Sequence, residues 1–199
     1  MVDGKYADTA IVKLRNFQRK LVSKFDLETD AVLIHGELVL FKLRQLFDGK
    51  AIMLLPSHFT EMPAELLKLR YLSHQSPQLI LTGNNLNENI CISCIERKGR
   101  DLAAAVDIMR NAIRQSAPDT VFYESGEITA KNCEGRWFEY KSFTLTDEAY
   151  NIQFLIGTEN MLLHGVFNCS IRDFEQWKKY IIKALEYTEI VEQVYRGAV

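Results

Sequence analysis

A chain of 199 residues with 47% hydrophobic and 25% charged side chains carries enough apolar material for one core without disulfide or metal staples. Its formal net charge of -2 argues against a dedicated nucleic-acid or anionic-membrane binder, so neither nucleic acid nor membrane is expected as a partner. No apolar run approaches the ~20 residues of a membrane span. The start, Met1-Val2-Asp3-Gly4-Lys5, has no basic segment leading into an apolar one, and the cytoplasm is the expected location.

Residues 8–25 read as a helix, because Ile11, Leu14, Phe17, Leu21, Val22 and Phe25 fall near one face while most basic side chains fall on the others. That apolar face leaves a homodimer through the N-terminal helix open. Ala31 to Ile34 reads as a strand. The second half of 37–47 reads as another, with Phe41, Leu43, Gln45 and Phe47 on one face. Asp48-Gly49 supplies a hairpin turn, and Lys50 to Leu55 is the partner strand.

The apolar run Ala51 to Leu55 stops at Pro56, and Phe59 and Met62 follow as packing anchors. A mixed segment ending Lys68-Leu69-Arg70-Tyr71 makes a short helical crossover. Apolar runs at 78–82 and 89–95 resume the strands after Pro77. Cys91 and Cys94 form a C-x-x-C inside the second run, where positions three apart point to opposite faces. With no helix start to lower their pKa, they are expected to be reduced structural thiols.

Gly99 to Gln115 shows the clearest helical period, through Leu102, Ala105, Val106, Met109, Ala112 and Ile113, with Asp101 near its start. Four strands follow at about 119–130, 134–146, 149–157 and 161–169, separated by polar turns short enough to favour antiparallel neighbours. A last helix is expected to start at Ser170, with Asp173 three residues on, and to turn Ile171, Phe174, Trp177, Ile181 and Leu185 inward. Residues 190–199 are expected to fray. The class is α+β, an antiparallel sheet covered by helices on both faces. The chain divides into an N-terminal helical extension (1–36), one domain (37–190) and a tail (191–199).

The sequence Leu55-Pro56-Ser57-His58-Phe59-Thr60-Glu61-Met62, then Arg70-Tyr71 and Pro77-Gln78-Leu79-Ile80, resembles the PsbP-like family. The order of elements from about residue 37 to 187 resembles it too. That group includes photosystem oxygen-evolving-complex subunits, a Ran-GTPase-binding protein and many uncharacterised bacterial proteins. The resemblance implies an α/β/α sandwich that binds other proteins without catalysis. It carries over no site residue.

Among residues able to do chemistry, His35, His58, His74 and His164 titrate nearest neutrality. None has metal-ligand spacing with another His, Cys, Asp or Glu on its own element, so no metal or cofactor site is expected. No nucleophile elbow, phosphate loop or dinucleotide fingerprint occurs, and no catalytic residue is assigned. His58, Glu61, Arg70 and His74, clustered around the crossover, are the candidate ligand-binding groups. Trp137, Glu139, Lys141 and Phe143, alternating along one strand face, have a composition that suits a protein interface. The first expectation is a protein-binding module rather than an enzyme. The alternative is an enzyme or small-ligand binder using a cleft near 56–77.

Overall fold

The computed structural model describes residues 26–70, 76–84, 86–99, 101–143 and 147–192. The expected helix at 8–25, and with it the dimer face, lies outside the described residues. Burial alternates along the first strands. Val32 and Ile34 of β1 (Val32–Ile34) are buried while Leu33 between them is exposed. A two-residue turn, His35-Gly36, with φ of 53° and 78°, returns the chain antiparallel as β2 (Glu37–Val39). Positive φ at both turn positions matches the twist of the two strands. A division between extension and domain at residue 36 would cut this hairpin, whose inner side chains join the main core.

Leu40 leaves the ladder, so a short strand, β2, precedes the one expected in the second half of 37–47. The latter, β3 (Phe41–Leu46), pairs with β4 (Ala51–Pro56) across a turn in which Phe47, Asp48 and Gly49 all have positive φ. β4 does not pair with the strands after Pro77. It forms a three-stranded sheet with β3 and the terminal β12 (Glu189–Ile190). Ile190 is 1% exposed and paired with Ala51, so the tail begins later than its expected fraying point.

The crossover holds the two-residue β5 (Thr60–Glu61) and a short helix, α1 (Ala64–Arg70). Then β6 (Leu79–Thr82), β7 (Asn89–Glu96), β8 (Val121–Thr129), β9 (Glu134–Phe143), β10 (Glu148–Gly157) and β11 (Met161–Ser170) join β5 in one antiparallel sheet. Its order is β5-β6-β7-β11-β10-β9-β8. Cys91 packs with Met62 and Ile80, whereas Cys94 packs on the main core, so the two thiols face opposite ways.

Helix α2 (Leu102–Ser116) begins where Asp101 Oδ1 accepts the Ala104 backbone N–H at 2.8 Å. Leu102 and Val106 rest on Phe138, Leu155 and Leu162. The other parity of β10, Tyr150, Ile152, Phe154 and Ile156, lies in the main core. That core is closed by α3 (Phe174–Leu185), the three-stranded sheet and the β1–β2 hairpin together. The fold is α+β on an antiparallel sheet. The cover on this side is shared with strands, where the sequence pattern suggested helices. Ser170 does not cap α3, because it is still paired with Ala149 in the sheet. Asp173 occupies the cap position and makes no side-chain capping bond.

Candidate functional site

The absent cap bond at Asp173 leads to the site. An N-cap aspartate ordinarily accepts from the first helical N–H groups. Here the carboxylate turns outward, and its Oδ1 lies 3.5 Å from His35 Nε2 on the hairpin turn. One helical turn on, Gln176 fixes that histidine from the other side. Its Oε1 accepts the His35 backbone N–H at 2.6 Å, and its Nε2 lies 3.4 Å from His35 Nδ1. Trp177, four residues after Asp173, shares its helix face.

His35, Asp173 and Trp177 wall a cavity of about 230 Å³. The hairpin contributes Ile34, His35, Glu37 and Val39, the turn after β4 contributes His58, and the loop between β6 and β7 contributes Asn84, Asn87 and Glu88. Two features of the wall stand out. Glu88 is only 9% exposed, and burial, reinforced by the nearby Asp173 and Glu37 charges, raises its pKa; its own backbone and His35 partly oppose this. Trp177 is 2% exposed, and its indole N–H has no partner among the described residues. Buried polar groups are nearly always paired, so an orphan donor on a cavity-lining residue stands out.

Gly83 makes room for Glu88. A Cβ at residue 83 would stand 2.9 Å from Glu88 Oε2 and 3.2 Å from a ring carbon of Phe59. His58 packs its ring edge-on to Phe59 at 5.0 Å between centroids, with Trp177 at 6.5 Å, and burial lowers its pKa. His35, Glu88 and Asp173 each offer a ligand atom, and these atoms lie within 4.8 Å of one another.

Of the four ligand-binding candidates from the crossover, His58 reaches this cavity. Glu61 is exposed on β5, away from the cavity wall. Arg70 ends α1. Its side chain, like His74, lies outside the described residues. The trio that does converge comes from three elements far apart in sequence, so spacing within an element could not reveal it.

The four interface candidates do share one face of β9. Trp137 belongs to the main core and Glu139 is 2% exposed, so neither presents itself to a partner. Glu139 is held by Tyr150, whose hydroxyl donates to Oε2, and by Lys178, whose Nζ lies 2.8 Å from Oε1. Lys178 also meets Glu124 at 2.8 Å. Burial works to lower the Lys178 pKa, but the two carboxylates outweigh it and raise it. Lys141 pairs with Glu148 at 3.0 Å and lies over Phe143, the member of the four that is exposed.

The likeness of the chain to solved structures gives it a PsbP-like fold. It is similar to cyanobacterial PsbP (CyanoP) from Synechocystis sp. PCC 6803, with a TM-score of 0.57 at 8% identity, covering 76% of this chain and 92% of that one. It is also similar to LpqN of Mycobacterium tuberculosis, a protein involved in cell envelope biogenesis, with a TM-score of 0.54 at 9% identity over 82% and 99% of the two chains. At such identities the likeness concerns the fold. No protein-family model and no curated protein sequence matches the chain.

Proposed function

We propose that this protein is a binding protein whose ligand is a small polar molecule or ion, held in the cavity between the β1–β2 hairpin, the β6–β7 loop and the start of α3. The observation that carries the reading is the pairing of an orphan buried donor, Trp177, with a nearly buried acid, Glu88, on one cavity wall. Burying the indole donor without a partner costs about 1–3 kcal/mol, and burial also disfavours the charged form of Glu88. A ligand with matching groups repays that cost. Thermal-shift screening of amino acids, organic acids, amines and divalent cations tests it. A hit is expected to raise the melting temperature of the native chain and to lose its effect in Trp177→Phe. Absence of any hit across these classes would count decisively against a cavity ligand.

A second reading is a protein-binding module, and exposed apolar side chains favour it. Leu33 and Leu38 face each other across the hairpin with 62% and 75% of their surfaces exposed. Leu40 and Leu43 are exposed nearby in sequence. A protein partner lying on the outer hairpin face would cover Leu33 and Leu38. Cross-linking from a cysteine placed at Leu38, followed by mass spectrometry, is expected to recover one specific protein; random recovery would sink the idea.

A further inference from the structure

Resting on the ligand-binding reading of the cavity, we propose that His35, Glu88 and Asp173 form a site for a divalent first-row transition cation. One imidazole nitrogen and two carboxylates, with ligand atoms within 4.8 Å of one another, need only small side-chain movements to meet at ~2.1 Å around one ion. This mixed nitrogen and oxygen set suits the range from manganese to zinc. It is too poor in oxygen ligands for calcium and lacks the thiolates that copper(I) prefers.

Three independent features point the same way. Asp173 forgoes the capping bonds that its position offers and turns to His35 instead. Gly83 leaves the space that the Glu88 carboxylate fills, and the neighbouring wall is Phe59, a fully buried ring that cannot yield. Trp177, whose buried indole N–H is unpartnered among the described residues, lines the same cavity one turn from Asp173.

Gln176 supplies a prediction peculiar to this arrangement. A cation on His35 Nε2 places the ring proton on Nδ1, which faces the Gln176 amide nitrogen, itself a donor. In Gln176→Glu a carboxylate faces Nδ1–H and still accepts the His35 backbone N–H, so the substitution is expected to tighten the site. A purely structural role for Gln176 predicts no gain.

Isothermal titration calorimetry of the metal-free full chain with Zn2+ and, separately, Mn2+ tests the proposal. One stoichiometric site is expected, weakened about tenfold or more in Glu88→Gln, Asp173→Asn and Gly83→Ala, and tightened about tenfold in Gln176→Glu. Far-UV circular dichroism of each variant establishes that it is folded. Absence of saturable binding by either ion overturns the site, as does binding that survives Glu88→Gln and Asp173→Asn unchanged, because the cysteines or other histidines then hold the ion. If the metals fail but an organic ligand still stabilises the native chain through Trp177, the cation site falls and the cavity reading stands. If neither binds, both fall.

Discussion

At the scale of single residues, the buried charge Glu139 is the most demanding feature outside the cavity. Its Oε1 accepts from Lys178 and from the Glu124 backbone N–H, and its Oε2 accepts from Tyr150. Removing Lys178 alone strands a buried carboxylate, so Lys178→Met is expected to cost about 3 kcal/mol in urea unfolding. The double variant Lys178→Met with Glu139→Gln is expected to recover part of that, since a neutral amide removes the stranded charge while its oxygen can still accept the Glu124 N–H and its N–H can donate to the Tyr150 hydroxyl. His164 gives a pH prediction. Burial lowers its pKa, and its Nε2 lies 2.8 Å from Gln153 Nε2 in the layer under α2. A histidine with a depressed folded pKa binds protons more readily when unfolded. Its contribution is therefore complete above the unfolded value of 6.5 and is lost as the pH falls toward and through the folded pKa. Melting temperature against pH should then fall more steeply below about 6.5 in the native chain than in His164→Gln. Parallel curves would remove His164 as the cause.

At the scale of elements, two neighbouring strands show how a glycine stands in for packing. Gly165 of β11 lies opposite Phe154 of β10, and a Cβ on it would come within 2.2 Å of the Phe154 ring. The ring lies over the glycine and is fully buried. Gly165→Ala is expected to destabilise by about 1–3 kcal/mol, through overpacking rather than through backbone strain. Phe154→Leu in the same chain should recover part of the loss, read by denaturant midpoint. Such dependencies explain what was legible in the sequence. Elements with a strong local period were readable: α2 through Leu102, Val106 and Met109, and the β3–β4 hairpin through Asp48-Gly49. The start of α3 was misread, because Ser170 and Asp173 look like a capping box when the sheet pairing of Ser170 is unknown. His58 was found through its place after Pro56. His35, Glu88 and Asp173 were missed as a group because their proximity comes from tertiary folding of a turn, a loop and a helix end.

At the scale of the whole molecule, one core ties the parts together. The main cluster takes Phe41 and Met53 from the three-stranded sheet, Ile34 from the hairpin, Phe154 and Phe167 from the large sheet and Trp177 and Ile181 from α3. No sheet can bury its inner face without the other, so neither is expected to unfold by itself. Trp137 and Trp177 both belong to this cluster and report on its packing by fluorescence, while far-UV circular dichroism reports on the strands of both sheets. The two signals are expected to change together in urea, with one midpoint. A fluorescence midpoint well below the circular-dichroism one would mean that the core around Trp177 loosens while the strands survive. The cavity wall would then belong to a separately unfolding unit, and ligand stabilisation would act on that unit alone. A single transition instead makes any ligand that bridges hairpin, loop and α3 stabilise the entire fold, by about 2.7 kcal/mol at a hundredfold excess over its dissociation constant.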